Sequence, residues 1–333
     1  PETLSRNLAK VDGLALREMN ELLVQKTREM GVIKGKSFRQ DTTVCESNIH
    51  HPSDSTLLSD GVRVLQRVVK RAEDLVPSMP TTPDRSKATL HRVLEIDRGA
   101  RVKGEIGKKK REKSYRGLLR ITRSVVTAAT RAIDKLADGR VTRHLNLIEK
   151  LSAHAMKEEL ETMVPRVDQV IRQTRARVLR GVTNSQDKLL SLFVPKTYVI
   201  RKGKPHKPNE FGRLIDIVEV ENGFVSDYQV LEGNPSDGTL LIPAIERHIE
   251  RFNRPPRLVA TDRGFWSAVN EQKAYELGVK RVSIPIRGNM SKLRLRIQRS
   301  RWFRKAQRWR AGGEGRIGIL KNNYGLDRCH YKG

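Results

Sequence analysis

At 333 residues the chain exceeds what one hydrophobic core usually serves, so two or three structural units are expected. Hydrophobic residues make up 37%, and no apolar run approaches the roughly 20 residues that a helical membrane span requires. A net charge of +28 with a pI near 10.5 points to a polyanionic partner, nucleic acid ahead of an anionic membrane surface, without separating an enzyme from a histone-like binder.

In chain order, residues 4–30 are expected to form a helix, with Leu14, Leu16, Met19, Leu22, Leu23 and Met30 on roughly one side. Ser37–Ser47 is rich in Thr and Val after a Gly-Lys turn and predicts a strand. His51-Pro52-Ser53-Asp54 ends it, with Asp54 or Ser55 as cap of the next helix. From Leu57 to about Phe193 the pattern is helical, and Leu58, Val62, Leu65, Val69, Ala72 and Leu75 form one stripe. Breaks are expected at Pro77, Pro80 and Pro83 and at a basic loop around Lys108–Lys110. Helices are expected near 114–137, 141–163 and 166–193, with Pro165 in a first turn.

The character changes at Pro195. Lys196–Arg201, Leu214–Glu221 and Phe224–Leu231 predict strands, the last two joined by a turn at Glu221-Asn222-Gly223. A helix over Leu240–Phe252, a short apolar strand Arg257–Thr261, a helix Ser267–Leu277 and a strand Val279–Ile286 follow. From Lys292 the chain reads as basic and helical in pieces. Without the helical stretch, this order is a mixed sheet with helices on its faces.

Three acids fall where chemistry is done. Asp262 directly follows the apolar run Leu258-Val259-Ala260-Thr261, at the strand end where open α/β sheets bind ligands; a capping or turn role fits the position as well. Asp41 lies inside the first strand, where aspartate is depleted, although an outward-facing edge position would also accommodate it. Asp54, Asp60 and Glu46 compete for the role, the first two falling where capping explains them. Between residues 277 and 333 there are sixteen Lys or Arg and two acids, Glu314 and Asp327. Glu314 is flanked by Ala311-Gly312-Gly313 and Gly315, small residues that permit close approach of another backbone or a DNA strand. In a helix, Arg310, Ile317 and Lys321 would share its face, and a plain Arg–Glu pair is the ordinary alternative. Three carboxylates on separate elements suit hard cations such as Mg²⁺ or Mn²⁺.

The segments around Asp41, Asp262 and Glu314 resemble the three acidic blocks of DDE transposases from bacterial insertion sequences. Arg310, Glu314 and Lys321 reproduce the R-x3-E-x6-K part of that family's C-terminal motif, while the upstream Tyr of the motif corresponds to Gln307 here. The phrases DTTVCESNIHHPSDSTLL, EGNPSDGTLL, ATDRGFWS and QRWRAGGEGRIGILKNNYGLDRC resemble one subgroup of these transposases. The resemblance implies an α/β, RNase H-like core. Its mixed five-stranded sheet is flanked by helices, with the first and fourth strands adjacent and a large all-α insertion after the first strand. It implies catalytic and metal-binding roles for Asp41, Asp262 and Glu314, with two Mg²⁺ ions, Mn²⁺ substituting. It further implies cleavage at element ends and transfer of the 3′-ends to target DNA by a homodimer assembled on double-stranded DNA, in the bacterial cytoplasm at the nucleoid. Rival functions are an RNase H-like nuclease or resolvase that does not join, and an inactive DNA-binding remnant.

The expected division is a helical tail over 1–35, the first strand of the core over 36–55, the insertion over 56–193 and the rest of the core over 194–333. A chain that begins at Pro1 and stops without a cap after Gly333 reads as a fragment lacking an N-terminal DNA-binding region. In the Lys292–Arg310 stretch, Arg301, Arg304, Lys305, Arg308, Arg310 and the later Lys321 are candidate phosphate contacts. Trp302 is a candidate base-stacking group, with core packing the alternative for it and Trp309. Lys108–Arg111 reads equally as a phosphate contact or a solvated loop. His50 and His51 read as local structure, because adjacent strand residues point to opposite faces. Gly233–Gly238 lacks the Lys and Ser/Thr of a phosphate-binding loop and reads as a turn. Two cysteines, Cys45 and Cys329, cannot form a zinc site alone and their spacing resembles no redox motif, so a reducing cytoplasm is the default expectation.

Overall fold

The computed structural model describes residues 11–183, 188–204, 207–286 and 288–330, and divides into two compact units, Ile49–Pro195 and the segments on either side of it. The chain opens with α1 (Gly13–Glu29), capped by Asp12. Residues 4–10 of the expected helix lie outside the described residues. The apolar side of α1 does not form a core: only Val24 is buried, against Ile33, Val220 and Phe252, and Leu14, Met19, Leu22, Leu23 and Met30 are exposed. Strand β1 covers Ser37–Ser47, as its Thr/Val content predicts.

The helical unit contains α2 (Asp54–Leu75), α3 (Ser86–Arg101), α4 (Gly104–Ala137) and α5 (Leu147–Thr174), ending in a π-helical turn at Arg175–Leu179. One apolar cluster holds it, with Leu58, Leu65, Leu118, Leu160 and Val170 fully buried. The cap of α2 is Ser53, not Asp54 or Ser55; Ser53 and Thr56 form a capping box, and buried Asp54 instead takes a bond from Arg177. The expected loop at Lys108–Lys110 is helical, because α4 starts at Gly104, whose positive φ makes the turn. Pro165 lies inside α5 rather than in a first turn. It and Glu161 are exposed, so water can take the carbonyl that proline leaves unpaired. The helix predicted to 193 stops at the π turn, where Gly181 has φ 72°.

The remaining elements belong with β1: β2 (Tyr198–Lys204), β3 (Lys207–Glu219), β4 (Val225–Val230), α6 (Leu241–Phe252), β5 (Leu258–Ala260), α7 (Ala268–Glu276), β6 (Arg281–Ser283), α8 (Lys292–Arg299), α9 (Arg301–Tyr324) and β7 (Arg328–Cys329). The sheet runs β2-β3-β1-β5-β6, with β4 also on β3 and β7 also on β1. Strands β1, β5 and β6 are mutually parallel, whereas β3 is antiparallel to β1, β2 and β4. This is the mixed, helix-flanked RNase H-like sheet expected, with seven strands among the described residues in place of five. The 13-residue β3 is long enough to take β2 as an extra partner, and two-residue β7 is too short to leave a periodic signal. Asn222 (φ 63°) and Gly223 (φ 70°) make the β3–β4 turn.

Side chains alternate along β1. Phe38 packs with Leu241, Ala244 and Ile245 of α6 and with Val259 of β5. On α6, His248 sits against Phe38 and Phe252 and bonds through Nε2 to the Gly35 carbonyl at 3.1 Å. Its Nδ1 is buried with no partner, so a second ring proton would have no acceptor, and burial lowers the pKa to about 4. A histidine whose folded pKa lies below its unfolded value of 6.5 contributes stability above that value and loses it as pH falls. Relative to His248→Gln, the protein is therefore expected to lose stability as pH falls from about 6.5 to about 4, read by urea unfolding across that range.

Candidate active site

Arg39 lies on the other face of β1 from Phe38. Its side chain is only 8% exposed and pairs with Glu219 of β3, itself 4% exposed. Arg39 also donates to the Trp309 carbonyl of α9 and lies 5.0 Å over the Trp309 ring. A methyl group at Gly313 or Gly312 would stand 3.1 or 3.3 Å from this side chain. Those two glycines admit the arginine of β1, while around Gly315 there is open space.

Asp41 follows Arg39 on the same face. With Arg310 and Ile317 of α9 and Ile217 and Glu219 of β3 it lines a narrow crevice. One of its carboxylate oxygens accepts the Thr42 N–H at 2.8 Å. Asp262 comes two residues after β5 and caps the short turn Arg263–Phe265, accepting from the Gly264 N–H at 2.8 Å. Strands β1 and β5 pair Ser37 with Leu258, Phe38 with Val259 and Arg39 with Ala260. Carried two residues on, that register brings Asp41 level with Asp262.

Glu314 lies on α9, 60% exposed, and accepts from Arg310 at 2.7 Å. Arg310 thus lines the crevice with Asp41 and also binds Glu314. Among the described residues no three His, Cys, Asp or Glu side chains form a ready metal cluster. The donor chemistry still fits a hard divalent cation: Asp41 and Asp262 offer carboxylate oxygens on neighbouring strands. Among the described residues Glu314 is tied only through its i,i+4 pair with Arg310, whose own side chain is 17% exposed, and it offers a third carboxylate.

Gln307, at the position of the family motif's Tyr, donates to the Ser283 carbonyl at 2.7 Å and reaches the Thr261 carbonyl at 3.3 Å, fastening α9 across β5 and β6. Arg301, Arg304, Lys305 and Arg308 are exposed at helical spacing, opposite the buried Phe303, Ala306 and Gly313. Trp302 is half-buried, edge-on to Phe303 and under Arg281, and Trp309 is held by Arg39. Lys321 is half-buried and bears on Cys45, whose thiol burial pushes up to about 11. His50 pairs with Asp60 at 3.4 Å, a local contact.

Sequence reasoning missed two acids. Thr42 donates to Asp237 at 3.0 Å, and a methyl at Gly264 would stand 2.7 Å from Asp237 and 3.1 Å from Asp262, so both carboxylates converge on that glycine. The Gly233–Gly238 turn therefore delivers an acid beside Asp262. Asp216 of β3 is buried, takes both bonds of the Gln40 amide, and is raised to about 7 chiefly by burial.

Residues 194–333 match the family model described as Transposase DDE domain, a span that includes Asp262 and Glu314 but not β1. No curated protein and no solved structure matches the chain.

Removing Arg39 would strand a buried carboxylate. Arg39→Met is expected to cost about 3–5 kcal/mol, and Arg39→Met with Glu219→Leu to recover most of it, as read by chemical denaturation.

Proposed function

We propose that the chain acts on DNA, cleaving it at the ends of an insertion sequence and transferring the freed 3′-ends to target DNA, a reading supported by the match of residues 194–333 to a transposase DDE domain. The observation that carries this is the parallel β1–β5 register, which sets Asp41 level with Asp262 beneath the helix bearing Arg310, Glu314 and Lys321. Asp41, Asp262 and Glu314 are the residues that would hold two Mg²⁺ or Mn²⁺ ions. Such ions, when bound, activate a nucleophilic oxygen and offset charge on the leaving oxygen.

The protein's own residues supply position and charge. Arg301, Arg304, Lys305 and Arg308 form a cationic row on α9 that neutralises backbone phosphates. Arg310 exchanges Glu314 for a phosphate oxygen, which frees the carboxylate to turn toward Asp41 and Asp262. Gln307 and Arg39 keep α9 in register while this happens. Water adds to phosphorus as the 3′-oxygen leaves and takes up the proton that water gives up. The resulting 3′-hydroxyl then attacks a target phosphate, losing its proton while the bond from that phosphorus to the target strand's own 3′-oxygen breaks and that oxygen leaves as a hydroxyl. Two ends joined in one event call for two copies on DNA, acting in a reducing bacterial cytoplasm at the nucleoid. No helix among the described residues is long and apolar enough to cross a membrane.

The test incubates the protein with labelled DNA carrying the element's ends and Mg²⁺ or Mn²⁺. Asp41→Asn, Asp262→Asn and Glu314→Gln are each expected to abolish cleavage and joining while duplex binding persists. Cleavage without joining by the wild type would mark a nuclease, and unchanged activity in the variants would remove the triad.

A further inference from the structure

The row of cations on α4 belongs to the helical unit, outside the transposase domain match. Lys109, Lys113, Arg116, Arg120, Arg123 and Arg131 recur at spacings of three, four and eight residues, and all are exposed. At about 100° per residue they fall within about 80° of the helix circumference, and at about 1.5 Å per residue they span about 33 Å. The opposite face is buried through Tyr115, Leu118, Leu119, Val125, Ala129 and Ala132.

From Lys113 to Ile133 the helix holds five Lys or Arg and no acid. Among the described residues Lys109, Lys113, Arg120, Arg123 and Arg131 are in no ion pair, and Arg116 reaches Glu112 only at 3.9 Å. Like charges three or four apart destabilise a helix by a few tenths of a kcal/mol each, so a helix selected for stability alone would interleave acids. Helices elsewhere in this unit do so, as in Lys157–Glu161 and Arg92–Glu95.

Resting on the reading of DNA as substrate, we infer that this face of α4 is a second duplex-binding surface, which grips the phosphate backbone without reading bases. Duplex DNA presents a phosphate charge every ~1.7 Å of axis, so a straight row of this length meets a dense line of anions. A membrane-surface helix would border its cations with exposed apolar residues. Here the exposed positions between the cations carry Ser124, Thr127 and Thr130, and among the described residues of α4 Ile106, one turn before Lys109, is the single exposed large hydrophobic residue.

The experiment measures binding of the full chain to a labelled duplex by anisotropy, in EDTA so that no chemistry intervenes, over a salt series. Arg116→Gln, Arg120→Gln and Arg123→Gln are combined in one variant. The control neutralises the equally exposed Lys87, Arg98 and Arg101 of α3, and circular dichroism checks both folds. The α4 variant is expected to bind more weakly, with the slope of log K against log salt reduced by about 2 to 3, and the control to bind like wild type. Wild-type-like binding by the α4 variant, or equal losses in both variants, would overturn the inference and leave the transposase reading standing. Binding of anionic vesicles that depends on α4, with duplex binding unchanged, would assign the face to membranes instead. A wild-type chain that binds no duplex would bring down both readings.

Discussion

A guanidinium withdrawn from water in a strand must be answered on every side, and the answer to Arg39 organises the sheet-containing unit. Its charge is met by Glu219 on the neighbouring strand, its remaining donor by the Trp309 carbonyl and its face by the Trp309 ring. Desolvating such a pair is expensive and its net contribution to stability is modest, but misalignment leaves a bare charge, so the interaction fixes geometry more than it adds stability. Because a methyl group at Gly312 or Gly313 would crowd that side chain, the two glycines favour the register in which α9 lies on β1. Gln307 repeats the constraint over β5 and β6. The positions of Arg310 and Glu314 are consequences of those two clamps.

Much of this architecture was readable in the sequence, for physical reasons that can be named. Thr and Val in β1, the short apolar run of β5 and the Asn222-Gly223 turn are local signals, and each reports its own backbone. The stripe on α2 is long enough to show its period. The glycines around Glu314 were noticed, yet their partner was not, because Arg39 is some 270 residues away and a lone basic residue in a strand looks like a solvated one. The same limit hid Asp237, whose turn reads as a connection until Thr42 and Gly264 are seen beside it. The exposed apolar residues of α1 show the reverse failure: a periodic pattern proves a helix but does not supply the surface that would cover it. Capping by Ser53 was missed by a single position, the usual uncertainty of helix ends.

Charge is sorted by depth. The sheet buries Asp216, Glu219 and Asp227, each answered by Gln40, Arg39 or Arg247, while the excess of lysine and arginine is turned outward on α9 and α4. Both helices achieve this in the same way, by keeping an apolar stripe against their own unit and placing cations on the far side. A net charge of +28 therefore burdens the fold little, since most of it sits in high dielectric where repulsion is weak.

Ser47 at the end of β1 and Thr197 at the threshold of β2 share a hydrogen bond of 2.8 Å, although the whole helical unit is threaded between them. On the ribosome, β1 leaves the tunnel well before its partner β3. At about 5–20 residues per second the 176 residues from Asp41 to Ile217 take on the order of ten to thirty seconds to make. An open loop of that length would cost about 4–5 kcal/mol to close. A helical unit that folds by itself in the interval replaces the floppy loop with a finished body and spares the sheet that cost. The nascent β1, with Phe38 and Val44 uncovered and both edges unpaired, is exposed for the whole of that wait, so prompt folding of α2–α5 shortens the gap its partner β3 has to cross.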